Sequence, residues 1–131
     1  IKAAEPQTVE DQIRLCEVEA PPFKEQKRGA LFARMLKDTG LTHIRTDKAG
    51  NVLGQLVGIR PRPHLLLAAH LDTVFPEGTD VRVTREGARL RGPGIGDDCR
   101  GLAVLIAVAR QLVKSGVRLP GTITFVGTVG E

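Results

Sequence analysis

The stretch LLLAAHLDTVFPEG, residues 65–78, decides the fold, because an apolar run changes abruptly into His70, Asp72 and a turn. A continuous apolar run of this kind is typical of a strand that is buried on both faces of a sheet. Side chains at i and i+2 of a strand point to the same side, so His70 and Asp72 face one place. A metal-bound imidazole usually donates its second N–H to a carboxylate or carbonyl. Alone, however, the pair is more often a structural histidine or an aspartate that starts a turn.

Helices and strands alternate along the chain. Apolar spacing predicts a first helix that begins at an N-cap, Thr8, with Asp11 in a capping-box-like relation, and ends before Pro21-Pro22. Further helices are predicted for residues 24–39 and 98–115. Strands are predicted at 42–47, 51–58, 64–70 and 121–129, with a surface hairpin over 80–92. The alternation predicts an α/β fold with a largely parallel sheet, in which ligands bind beyond the carboxyl ends of the strands.

Length and composition are those of a single ordinary globular domain. With 131 residues there is room for one modest core, and no apolar run approaches the ~20 residues of a membrane span. The chain starts at Ile1 with no signal-peptide pattern, so we expect a trimmed N-terminus or a start inside a longer protein. Cys16 and Cys99 match no metal-knuckle spacing and favour a reducing compartment, which predicts a cytoplasmic location.

The excess of basic over acidic residues does not by itself predict a nucleic-acid partner. The net charge is +4, but the arginines are scattered and do not form one helical stripe. Aromatic residues are 3% of the chain, with no Trp or Tyr, so platforms for stacking bases are scarce. We therefore expect neither nucleic acid nor membrane as a partner.

A glycine-rich loop, GPGIGDDCRG at residues 92–101, leads directly into the third predicted helix. A phosphate cradle is the obvious rival, but the loop lacks the last glycine of the dinucleotide pattern, and no Gly-Lys-Ser/Thr follows. The adjacent carboxylates of Asp97 and Asp98 would also repel a pyrophosphate. They fit a cation, although one of them would serve equally well as a helix N-cap. This loop alone leaves the two readings open.

Glu131 follows the last predicted strand. It is the third place, after the end of the 64–70 strand and the glycine-rich loop, where an acid or a histidine stands at the end of a strand or loop. A glutamate at the end of a chain would normally mean nothing. The coincidence of three such ends favours a metal-dependent enzyme.

Three segments, HLDTVFPEG, GPGIGDD-x-x-G and TFVGTVGE, resemble successive motifs of one enzyme family. It is the family of zinc metallopeptidases and amidohydrolases that includes carboxypeptidase G, peptidase T, acetylornithine deacetylase and succinyl-diaminopimelate desuccinylase. The resemblance runs from about Thr8 to the end of the chain. It implies a three-layer, zinc-exopeptidase-like α/β domain with a mostly parallel central sheet. Residues 1–131 would be the N-terminal portion of that catalytic domain, cut before its C-terminal part and an inserted dimerisation domain.

The resemblance also implies roles for four residues. His70 would bind one zinc ion, Asp72 would orient His70, Asp97 would bridge two zinc ions, and Glu131 would be the general base. Two Zn²⁺ ions per intact site are implied, with cobalt or manganese as alternatives, and a peptide or N-acyl amino acid as substrate. In the intact site the Asp97–Asp98 peptide bond is expected to be cis, and without metal it could relax to trans.

The chain departs from the family pattern in two ways. Cys99-Arg100 stands where the family often has Lys-Gly, which offers a low-pKa thiol or, as the blander alternative, an inert buried cysteine. The ligands that the family places after Glu131 are absent, so we expect weak zinc binding and no useful hydrolysis by this chain alone. Missing strands should expose a sheet edge, which predicts self-association or a homodimer. A non-catalytic binding domain and a nucleotide-binding α/β domain are the alternative functions.

Overall fold

The computed structural model describes residues 2–131, in which three α-helices and six strands follow a single 3-10 turn. The helices are α1 (Glu5–Cys16), α2 (Gln26–Asp38) and α3 (Cys99–Ser115). The strands are β1 (Thr42–Thr46), β2 (Val52–Leu56), β3 (His64–His70), β4 (Thr84–Glu86), β5 (Arg89–Arg91) and β6 (Thr122–Thr128). No helix in this part of the chain combines the length and apolarity needed to cross a membrane.

The central sheet has four strands in the order β1-β2-β6-β3, and β4 pairs with β5 in a separate hairpin. This arrangement confirms the α/β class, but the predicted parallel character of the sheet holds only for β3 and β6. The β1–β2 and β2–β6 pairs are antiparallel. The reason is local: β1 and β2 form a hairpin through a tight turn, and the second arm of that hairpin runs against β6.

All three helices contribute to one hydrophobic core on a single face of the sheet. Phe125 of β6 is fully buried in this core, together with Leu36 of α2 and Ile106 of α3. Gly54, paired with Phe125, lies so close to Leu36 that a Cβ would be 3.3 Å from its Cδ1. The described residues therefore form two of the three expected layers, and the opposite face of the sheet carries no helix from residues 2–131.

The prediction that β3 is buried on both faces is wrong for these residues. Leu65 is 53% exposed and Leu66 is 59% exposed, although their side chains point to opposite faces. The cause is the strand order, because β3 pairs with β6 along one side and has no strand on its other side among residues 2–131. An apolar run indicates that a strand is suited to burial, but residues 2–131 do not supply the neighbours that would bury it.

Of the two predicted helix caps, one is wrong and one is present in the structure. Thr8 lies inside α1, where its hydroxyl donates to the carbonyl of Ala4 at 3.1 Å, so it is not the N-cap. The helix begins at Glu5 because Pro6, with its fixed φ and missing N–H, suits a first turn. At α3 the Asp98 side chain does cap the helix, and Gly116 ends it in the left-handed conformation with φ 68°.

Candidate metal centre

His70 ends β3, and its ring contacts two carboxylates that arrive from other parts of the chain. The Nε2 atom lies 2.9 Å from Asp97 Oδ1 and 3.1 Å from Glu131 Oε2. Asp97 comes from the glycine-rich loop and Glu131 follows β6, the parallel neighbour of β3. Three of the four predicted site residues therefore meet at the carboxyl ends of two adjacent strands.

The second ring nitrogen of His70 is held by Asp72, but chiefly through the main chain. Nδ1 lies 2.9 Å from the Asp72 carbonyl oxygen and 3.8 Å from its carboxylate Oδ1. Asp72 was expected to orient His70, and its nearer acceptor for the ring is the carbonyl rather than the carboxylate. A bond from Nδ1–H to this carbonyl leaves Nε2 as the nitrogen that can bind a metal.

The environment of His70 favours its charged form. Burial lowers the pKa of His70, but the hydrogen bonds to Asp97 and to the Asp72 carbonyl, with the nearby charge of Glu131, outweigh burial and raise it above its usual value. A metal ion that binds Nε2 must displace this proton, which couples metal affinity to pH.

The buried Asp72 carboxylate connects His70 to Glu131. Its Oδ2 accepts a hydrogen bond from the Glu131 main-chain N–H at 3.2 Å. Its Oδ1 is buried and has no hydrogen-bond partner among the described residues, the nearest cationic group being the His70 ring. An unpaired buried carboxylate oxygen is costly unless a positive charge lies nearby, so Asp72 favours a cation or a protonated histidine at this place.

The sequence left open whether Asp97 and Asp98 cap a helix or bind a cation, and the structure gives the two aspartates different contacts. Asp98 accepts hydrogen bonds from the N–H groups of Gly101 at 3.0 Å and His70 at 3.2 Å. It is therefore the helix cap, and it also fastens the start of α3 to the end of β3. The Asp97 side chain is 90% exposed and is the one directed to His70. The Asp97–Asp98 peptide bond is cis, as the resemblance implies for an intact site.

Several residues that hold this site were missed in the sequence. Gln12 of α1 donates to the carbonyl of Ile95 at 2.7 Å and so fixes the glycine-rich loop. Arg28 of α2 is fully buried and donates to the carbonyl of Leu71, between the two strand-end residues. The helical spacing of Gln12 and Arg28 could have indicated their burial, because both occupy positions where an apolar residue is expected.

Gly101 leaves room for the Asp98 carboxylate, which lies where a Cβ at this position would be placed. We expect Gly101→Ala to displace that carboxylate and break both of its hydrogen bonds. Although alanine is the better helix former, the loss should leave the chain about 1–2 kcal/mol less stable in urea unfolding. Gly96→Ala is the matched control, because a Cβ there meets nothing within 4 Å. Equal stability of the two variants would contradict this expectation.

Comparison with known proteins decides the family. Residues 66–131, about half of the chain, match the pattern described as Peptidase family M20/M25/M40. The chain belongs to this peptidase M20 family.

Relatives within the family are longer than this chain. Carboxypeptidase G2 from Pseudomonas sp. (strain RS-16) is 38% identical over 110 residues, which are 79% of this chain and 26% of that protein. A probable carboxypeptidase from Paracoccidioides brasiliensis (strain Pb18) is 27% identical over 128 residues, 86% of this chain and 29% of that protein. The chain therefore spans between a quarter and a third of the length of these relatives.

Solved structures confirm the fold. Aminopeptidase PepT from Bacillus cereus ATCC 10987 superposes with a TM-score of 0.82 at 24% identity, over 97% of this chain and 37% of the other. The Bacillus subtilis YXEP protein, described as a dinuclear metal-binding peptidase of the M20 family, gives a TM-score of 0.71 at 18% identity, over 100% of this chain and 37% of the other. At these identities the likeness concerns the fold, which matches that of M20 peptidases.

The donor set of this M20 chain fits part of a zinc site. An imidazole nitrogen and a carboxylate oxygen are ligands that zinc accepts, but zinc prefers about four. Residues 2–131 contain no group of three or more His, Cys, Asp or Glu side chains arranged to hold a metal ion. His70 and Asp97 thus provide an incomplete set, beside a cavity of about 420 Å³ that Val74, Phe75 and Ile95 also line.

Cys99 does not belong to this donor set. Its side chain is fully buried and contacts Cys16, whose thiol lies 3.2 Å from the carbonyl of Pro93. The hydrogen bond with Cys16 and then burial raise the pKa of the Cys99 thiol far above its usual value. The inert buried cysteine is therefore the alternative that the structure supports.

Proposed function

We propose that this chain is the N-terminal part of the catalytic domain of a di-zinc hydrolase that cleaves peptide or N-acyl amide bonds. The observation that carries the proposal is the meeting of His70, Asp97 and Glu131 at the ends of two parallel strands. Membership of the peptidase M20 family supports the hydrolase class. Its similarity to a carboxypeptidase and, in fold, to an aminopeptidase favours an exopeptidase or an amino-acid deacylase.

In the proposed site His70 and Asp97 would hold the metal ions, and further ligands in the parent protein would complete each set. When bound, zinc supplies Lewis-acid polarisation of the scissile carbonyl and acidifies a water molecule. Glu131 would accept a proton at Oε2 and pass it to the leaving amine. Asp72 would hold His70 at Nδ1 through its carbonyl and the Glu131 backbone through its carboxylate. Cobalt or manganese could replace zinc in such a donor set.

The proposed substrate is a small peptide or an N-acyl amino acid. Beside the ligands, the cavity has an apolar wall formed by Val74, Phe75 and Ile95, which suits a hydrophobic substrate group. We further propose a cytoplasmic location, because both cysteines are free thiols although they are in contact.

The test uses the parent protein. This term means a polypeptide that contains this chain together with the further segments present in its longer relatives. We expect the parent to hydrolyse some members of a panel of dipeptides and N-acyl amino acids. Prolonged chelation should abolish turnover, and zinc, cobalt or manganese should restore it. Hydrolysis that survives complete metal removal would overturn the proposal. The isolated chain should bind zinc only weakly in calorimetry and hydrolyse nothing at a useful rate, since its ligand set is incomplete.

The uncovered edge of β3 makes self-association of the isolated chain the expected behaviour. Unpaired strand edges with apolar side chains are templates for pairing with another copy. We expect sedimentation velocity to show concentration-dependent association that Leu66→Lys reduces. Val117→Lys replaces another exposed apolar residue outside the sheet and should leave association unchanged. A clean monomer at high concentration would count against this expectation. For the parent protein we propose a homodimer.

A further inference from the structure

Three consecutive main-chain N–H groups at the end of the chain each donate to a side-chain oxygen from a different segment. They belong to Val129, Gly130 and Glu131, which follow the last residue of β6. Beyond a strand end the sheet offers no ladder partner, so these amides need other acceptors. The acceptors are, in order, Asn51 Oδ1 at 2.9 Å, Glu25 Oε1 at 3.3 Å and Asp72 Oδ2 at 3.2 Å.

Glu25 differs from the other acceptors because the residue is only 5% exposed and its carboxylate makes no ion pair within residues 2–131. It occupies the N-cap position of α2, yet its side chain does not cap that helix. Instead Oε1 accepts from the N–H groups of Phe23 at 2.9 Å and Gly130 at 3.3 Å. A buried carboxylate is costly unless it is hydrogen-bonded, so this placement indicates a use at the Gly130 segment.

Asn51 is oriented for the same purpose by its own turn. Its Nδ2 donates to Asp47 Oδ2 at 2.9 Å, and a carboxylate can only accept, which fixes the amide with Oδ1 toward Val129. Asp47 Oδ1 in turn accepts from three successive N–H groups of the β1–β2 turn. The turn is thereby rigid, and it presents one acceptor to the segment before Glu131.

We propose that Glu25 and Asn51 are positioning residues for Glu131, which they act on through the backbone of residues 129–130. The proposal rests on the proposed function, in which Glu131 moves the proton. The side chain of Glu131 is 69% exposed, so packing alone does not fix it, and its contact with His70 depends on where the backbone holds it. Misplacement of a catalytic group by about 1 Å can cost ~10²-fold in rate.

The first arm of the test measures kcat and KM of the parent protein. Glu25→Ala and Asn51→Ala should each lower kcat by about 10- to 100-fold, with KM within about twofold and metal content unchanged. Glu25→Gln keeps an oxygen at the same reach and should recover kcat to within about fivefold of the unaltered protein. Thr39→Val is the control, since it removes another buried hydrogen bond, to the carbonyl of Leu36, and should leave kcat unchanged.

The second arm is a double-mutant cycle with Glu131→Gln. If Glu25 acts through Glu131, Glu25→Ala should cost little further activity in the Glu131→Gln background. An undiminished further loss would mean a general structural role and would overturn the proposal. Normal kcat for Glu25→Ala with an inactive Glu131→Gln would also overturn it, while leaving the proposed function intact. Should Glu25→Ala fail to fold, Asn51→Ala in the same cycle decides the question. If Glu131→Gln is fully active, Glu131 is not the base, and this inference fails with that role while metal-dependent hydrolysis is still tested by chelation.

Discussion

Replacing Glu131 by Gln in the parent protein is expected to lower kcat by about 10²- to 10⁴-fold, the usual contribution of a general acid–base group. Glutamine has nearly the same shape but cannot accept and return a proton. The main-chain N–H of residue 131 would still donate to Asp72, so the backbone should stay in place. Steady-state kinetics, with metal content measured on the same samples, would test this expectation.

Turnover separates a hydrolase from a non-catalytic binding domain, one of the alternatives that the sequence left open, and metal content shows whether lost turnover comes from lost metal. An enzyme with Glu131 as its base loses turnover but keeps its metal, because His70 and Asp97 are untouched. A non-catalytic binding domain would show no turnover to lose in either protein. Glu86→Gln provides the control, since Glu86 is an exposed carboxylate on the β4–β5 hairpin and should leave kcat unchanged. Unchanged turnover in the Glu131→Gln protein would remove Glu131 from the proposed chemistry.

The meeting of the site residues could be predicted because it follows from strand direction. The carboxyl ends of parallel neighbours lie at one edge of a sheet, where His70 ends β3 and Glu131 follows β6. Finer detail could not be predicted from spacing. An i, i+2 pair shows that His70 and Asp72 share a side, but not whether the carbonyl or the carboxylate of Asp72 is the nearer acceptor.

The errors in the predicted fold come from the limits of local pattern. The apolar run of β3 indicates that burial is needed but does not count the neighbouring strands, and within residues 2–131 there is one. Thr8 has the residue type of an N-cap and lies inside α1 because Pro6 allows an earlier start. For β3 the strand order of the whole sheet decided the outcome, whereas for Thr8 the neighbouring Pro6 did.

The burial of Arg28 contradicts the usual assumption that a charged side chain lies in solvent, and only its helical spacing indicated it. Arg28 lies three and four residues before Leu31 and Phe32, on the buried stripe of α2. Its guanidinium donates to the carbonyls of Val18 at 2.9 Å, Leu71 at 2.8 Å and Cys16 at 3.4 Å. The residue therefore joins the end of α1 to the backbone between His70 and Asp72, which explains why a helix places a cation in the core.

Arg28→Met is accordingly expected to destabilise the chain by about 3–5 kcal/mol, because each buried carbonyl left without a donor costs about 1–3 kcal/mol and a domain has only about 5–15 kcal/mol in total. Methionine fills much of the volume, so the loss reports mainly the missing hydrogen bonds. Urea unfolding followed by circular dichroism would show a much lower midpoint or no folded baseline. Arg34→Met is the matched control: it makes the same change at an exposed position of α2 and should shift stability by less than about 0.5 kcal/mol. If both variants unfold at the same urea concentration, the carbonyl contacts of Arg28 contribute nothing measurable, and its link to the His70 segment is not what holds that segment.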